Sequence, residues 1–142
     1  ASEVGYGNVI ASLPGFKQVA NFLLGLKFGG SPLFSEAVTV NVLAGITGSA
    51  SGGMSIALAA MSKDWLAWAA QVGLDPQMLH RIASLASGGL DTLPHNGAVI
   101  TLLAVCGLTH KDSYLDIFVC ATAITVSTGF FMILVHAVTG LV

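Results

Sequence analysis

Four polar side chains, Asp91, Thr92, His95 and Asn96, fall within six residues of one another inside a stretch that is otherwise apolar. A carboxyl and an imidazole so close together suit the holding and passing of a proton, because burial favours the neutral carboxyl and histidine changes charge near neutral pH. Asn96 has the side chain to cap a helix starting at Gly97, with its amide left over for a ligand. A second set, Ser49 and Ser51, sits in a run of six small residues from Gly48 to Gly53. There Gly52 and Gly53, like Gly48, leave peptide groups bare to a solute, and Ser51 is the expected cap of a half-helix starting near Met54. The plainer readings are that Gly48 and Gly52 form a GxxxG spacing for helix contact, that Asp91 braces a turn, and that His95 is a satisfied core histidine.

Enzyme chemistry finds no pattern. A nucleophile elbow needs Gly-x-Ser-x-Gly, but starting from Gly48 the nucleophile position is Ala50, and with Ser51 as nucleophile the first position is Ser49. No HExxH occurs, and Cys106 and Cys120, each in an apolar run, read as small buried hydrophobes. No catalytic residue, metal site or cofactor is expected.

The elements that hold these groups follow from hydropathy. Crossing a hydrocarbon core of about 30 Å takes roughly 20 apolar residues in a helix. Residues 117–142 contain no Asp, Glu, Lys or Arg and read as a plain transmembrane helix, entered over 115–142, with Tyr114 and Asp116 at its wet start and His136 near its far end. Residues 37–62 also carry no charge, but the glycines at their centre cost a straight helix roughly 3 kcal/mol relative to alanine. The expectation is a re-entrant hairpin over 32–62, entered through Ser31 as N-cap and Pro32 at the first helical position, with Glu36 in the first or second turn. Residues 76–109 read as a broken helix, since Gly88, Gly89 and Pro94 interrupt it around Asp91. Residues 16–30, with Lys17 and Lys27 flanking a short apolar middle, read as an interfacial helix. Lys63 to Asp75, with Trp65 and Trp68, reads as a connection in the headgroup zone, and Arg81 as a snorkelling side chain.

Of the 142 residues, 54% are hydrophobic and 8% charged. Mean hydropathy is +0.83. A soluble domain carries roughly 25% charge, so water is the wrong solvent for most of this chain. Five Lys plus Arg and a net charge of -2 leave no stripe to follow a phosphate backbone, which argues against nucleic acid as a partner. The chain starts at Ala1, with no basic stretch ahead of a short apolar run, so no signal peptide is expected. The whole reads as a piece of a longer membrane protein. Broken helices at membrane depth survive only where protein or a watery cavity meets their free peptide groups, and their usual purpose is a transport site.

The stretch NVLAGITGSASGGMSIAL, Asn41 to Leu58, with HRIASLASGGLDTLPHNGAVITLLAVCGLTHKDSY, His80 to Tyr114, resembles the C-terminal part of the gluconate:proton symporter family of bacterial permeases. That resemblance implies one half of an inverted repeat: a re-entrant hairpin, a broken helix and a complete helix, in a multi-pass protein of the bacterial inner membrane. It implies that Ser49, Ser51, Asp91, Thr92, His95 and Asn96 help form the substrate and ion site; the residues themselves add Gly52 and Gly53 at the substrate and give Asp91 and His95 the coupling proton. The substrate would be gluconate or a related hydroxycarboxylate. The expected partners are that anion, the proton, the bilayer and the remainder of the permease, with self-association left open. Sodium coupling on the same scaffold is the alternative, and a membrane packing or assembly module is the alternative of another class.

Overall fold

The computed structural model describes residues 9, 12–25 and 30–140, and all its regular elements are helical. Helix α1 runs Pro14–Leu24, against the expected 16–30. Lys27 and the side chain of Lys17 lie outside the described residues.

Helix α2, Pro32–Thr47, is the centre of the fold. Ser31 caps it, accepting from the Leu33 N–H at 3.4 Å, with Pro32 in the first turn. Buried residues occupy every side of α2, as expected for a helix enclosed by others rather than lying on a surface. It ends at Gly48, whose φ of 61° is left-handed, a conformation that glycine adopts without a Cβ penalty.

The chain then reverses into α3, Ala50–Val72. The cap is Ser49 and not Ser51: the Gly52 N–H donates to Ser49 Oγ at 3.2 Å, so the second arm starts four residues before the expected Met54. A Cβ on Gly53 would overlap the backbone of Ala44, so this glycine is where the two arms cross. The second arm continues past Ser62, through Lys63 and Asp64, to a left-handed cap at Gly73. Its buried residues, Gly53, Ala57, Met61, Trp65 and Ala69, recur every fourth position and form one uninterrupted stripe. Trp65 therefore faces the core instead of headgroups; it is 2% exposed and its indole N–H donates to Ser35 Oγ at 3.4 Å.

Helix α4, Pro76–Ser87, is capped by Asp75, which accepts from the Gln77 N–H at 2.9 Å. Then comes the break, a 3-10 turn Leu90–Thr92, followed by α5, Gly97–Cys106. The closing rod spans His110–Thr139 as α6, His110–Ile117, a π-helical turn Phe118–Ala123, and α7, Ile124–Thr139. It starts at His110, earlier than the expected 115, because the Thr109 N–H and hydroxyl both donate to Asp112 Oδ2, at 2.8 and 2.6 Å. The rod is long and apolar enough to cross a membrane, and almost none of its apolar surface is buried against the rest of the chain. Cys106 and Cys120 are both exposed, contrary to the buried placement expected of them. The rod leans on α2 through Phe34 and Phe130, whose ring centres lie 5.6 Å apart.

Candidate functional site

The two interruptions, nearly fifty residues apart in sequence, touch. The Asn96 amide donates to the Gly48 carbonyl at 2.7 Å, and His95 Nε2 lies 2.8 Å from the Gly45 carbonyl. The tip of the hairpin thus rests on the loop that precedes α5. A third tie comes from Asn41, a polar residue in the middle of α2. Its amide donates to Ala37 O at 2.9 Å, while its Oδ1 accepts from the Leu90 N–H at 3.3 Å. Gly89 has no room for a side chain, since a Cβ there would overlap Asn41 Oδ1.

Asn96 caps α5 as its type suggests, accepting from the Ala98 and Val99 N–H groups at 2.6 and 3.4 Å. Its amide is not left over for a ligand. Besides Gly48 O it reaches Asp91 Oδ1 at 3.0 Å and the Asp91 carbonyl, and the side chain is 3% exposed. Asn96 is therefore the fastening between break and tip. Asp91 and Thr92 are half-buried beside it, whereas His95 is exposed.

At the hairpin tip, Ser49 is half-buried and Ser51 exposed, with their hydroxyl oxygens 3.4 Å apart. Gly52 is half-buried beside them and Gly53 is buried at the crossing of the arms. Thr47 donates to Leu43 O at 2.8 Å and so closes the last turn of α2. Helix starts leave their first N–H groups without intrahelical partners. Ser49 takes that of Gly52, which leaves those of Ala50 and Ser51; Asn96 takes those of Ala98 and Val99, which leaves that of Gly97. The positive ends of α3 and α5 thus begin at one bonded junction, a disposition that suits an anion.

The closing rod joins in through Thr122, which the sequence did not single out, and through Tyr114, which was expected only to mark the wet start of the rod. Thr122, 3% exposed in the π turn, lies 2.7 Å hydroxyl to hydroxyl from Thr92. Tyr114 donates its OH to the Thr92 carbonyl at 3.3 Å. The sequence marks Thr122 only as one of several hydroxyls in the run, with Thr125, Ser127 and Thr128; such groups bond either across to a neighbour or back to their own helix, as Thr128 does to the Ile124 carbonyl at 2.8 Å. Thr122 is five residues into the charge-free run that begins at Ile117, or about 8 Å at a helical rise of 1.5 Å per residue. The break also meets the polar start of the rod, where His110 Nε2 lies 3.0 Å from the Pro94 carbonyl, so it lies alongside the rod from His110 to Thr122. Thr92→Val and Thr122→Val are each expected to cost about 1–2 kcal/mol, with the double variant losing less than the sum. Thermal unfolding of the purified protein checks this, and strictly additive losses would disconnect the two hydroxyls.

Over 142 aligned residues the chain is 52% identical to the protein named "Uncharacterized transporter YxjC" of Bacillus subtilis (strain 168). The alignment takes in 99% of this chain and 29% of that protein, so the chain spans less than a third of its relative's length. No family model matches the sequence, and no solved structure matches it.

Proposed function

We propose that the chain is part of the transport domain of a secondary active transporter that takes up gluconate or a related hydroxycarboxylate together with protons across the bacterial inner membrane. The observation that carries this reading is the meeting of the two helix breaks, Gly48 against Asn96 and Gly45 against His95. A relative named as a transporter supports the transport class over an enzyme. In this reading the carboxylate of the solute is held by the free N–H groups at the starts of α3 and α5 and by the hydroxyls of Ser49, Ser51 and Thr92, with the Gly52 backbone alongside. Gly53 lets the arms approach, and Asn96 holds the two breaks together. Asp91 and His95 carry the coupling proton, and the remainder of the permease forms the opposite wall.

The test is uptake of labelled gluconate by the intact transporter in proteoliposomes. Accumulation is expected when the interior is alkaline, is abolished by a protonophore, and is indifferent to sodium at fixed pH. A strict sodium requirement would replace the proton with sodium on the same scaffold. The paired change Asp91→Asn with His95→Gln is expected to lower uptake about tenfold or more, the scale of a typical coupling free energy between two ligands. Unchanged uptake would return both breaks to a packing role.

A further inference from the structure

Glu36 is 1% exposed, one of the most deeply buried residues of the chain, and its Oε2 is fully enclosed with no hydrogen-bond partner. Glu36 is one of the residues lining a cavity of about 280 Å³ between α2, α3 and α4, whose walls include Met54, Leu58, Trp65 and Leu79. Ser62 and His80 supply the other polar groups of the lining. Three residues along α2, Thr39 Oγ1 is likewise enclosed and unpartnered. Native structures rarely leave buried oxygens unpaired, and each exception calls for a reason.

We infer that Glu36 is a second proton-bearing group of this protein, exchanging its proton through the cavity with His80. This rests on the reading of the protein as a proton-coupled transporter and adds a named residue to it, separate from the junction of the breaks. Glu36 precedes Gly48 by twelve residues, about 18 Å along a helix. Its level can be placed against the rod: Phe34, one turn away or less, meets Phe130, thirteen residues or about 20 Å into the charge-free run.

The chemistry of the cavity selects the proton. A carboxylate enclosed without donors or a cation is costly, whereas the neutral acid is tolerated, so this arrangement suits the protonated form. A hard metal cation such as sodium seeks a shell of several oxygens. Here one carboxyl and one hydroxyl are on offer. The volume admits several waters, each needing about 30 Å³, and His80 is exposed as well as lining the cavity, so it links Glu36 to the outside. The exchange is a plain transfer: the Glu36 O–H bond breaks, the proton moves through water to the imidazole, and the carboxylate and imidazolium left behind balance each other.

Among the described residues, no other charged side chain lines the cavity. On α3, Lys63 and Asp64 are exposed and outside its lining, and on α4 the same holds for Arg81. On α7, His136 lines a different cavity, at the start of α2, and Asp91 belongs to the break. The side chain of Lys17 on α1 is outside the described residues.

Infrared difference spectra of the intact purified transporter, recorded between acid and alkaline buffer, provide the test. A protonated-carboxyl band that disappears in Glu36→Gln is expected, and Glu36→Asp should shift it instead of removing it. In proteoliposomes Glu36→Gln should lose pH-gradient-driven gluconate accumulation by about tenfold or more, while exchange of gluconate across equilibrated membranes continues and shows the variant to be folded. A band unaffected by Glu36→Gln, or accumulation equal to wild type, overturns the assignment. A wild-type protein that shows the Glu36 band but moves no gluconate overturns the function proposed above while supporting the protonation of Glu36.

Discussion

Gly53→Ala is expected to disable the hairpin, with a stability loss at or above the roughly 1–3 kcal/mol typical of overpacking. The added Cβ would overlap the amide nitrogen and Cα of Ala44 and the carbonyl carbon of Leu43. These are backbone atoms in the last turns of α2, and they cannot swing aside as a side chain would. Separating the arms to make room would also pull Ala57, Met61 and Trp65 away from α2, because all three belong to the same buried stripe and the same core cluster as Leu33, Val40 and Leu43. The neighbouring change is the control. At Gly52 the nearest atoms to a new Cβ are Ser49 Oγ at 3.2 Å and Ser49 Cβ at 3.3 Å, side-chain atoms that need yield only a few tenths of an ångström while the cap is kept, and alanine gains about 1 kcal/mol of helix propensity over glycine. Gly52→Ala should therefore fold almost as well as wild type. Thermal unfolding of the purified variants in detergent separates the two, and equal stability of Gly52→Ala and Gly53→Ala would show that the arms do not cross at Gly53.

Asn96 gives the second large effect, and two variants divide its roles. Asn96→Ala removes the cap of α5, worth about 1 kcal/mol, takes away one contact of Asp91 Oδ1, and leaves the Gly48 carbonyl without this donor, about 1–3 kcal/mol for an acceptor so deprived. A total of about 2–4 kcal/mol is expected. Asn96→Asp keeps the capping oxygen for the Ala98 and Val99 N–H groups but cannot donate to Gly48 O, and it sets a second carboxyl beside Asp91. If the fastening matters more than the cap, Asn96→Asp falls close to Asn96→Ala in unfolding midpoint and in gluconate uptake. An Asn96→Asp protein as stable and active as wild type would reduce Asn96 to a helix cap and leave the contact between tip and break without consequence.

Much of the local architecture was legible because its causes are local. Ser31 with Pro32, Asp75 with Pro76, and Asn96 before Gly97 each announce a helix start through a side chain that reaches an N–H two residues on. The charge-free run from Ile117 and the glycine-rich interruptions likewise act within a turn or two of where they stand. One local signal was available and outweighed. The fourfold spacing of Gly53, Ala57, Met61, Trp65 and Ala69 passes straight through Lys63 and Asp64, yet those charges suggested a surface connection where α3 continues. Both are exposed on the far side of the stripe, which a helix allows at no cost.

Sequence by itself determined which segments are oily, the helix starts that Ser31, Asp75 and Asn96 cap, and where the chain breaks. Tertiary structure alone decided that the hairpin tip meets the second break, that Trp65 turns inward to Ser35, that Thr122 pairs with Thr92, and that Glu36 lines a cavity without a partner. The reason is one of range. Caps and periodicity are set by atoms within about four residues along one helix. Contacts such as Asn96 to Gly48 and Asn41 to Leu90 depend on how closely and at what angle whole helices cross, a quantity fixed jointly by Gly53, Gly89 and every side chain packed around α2.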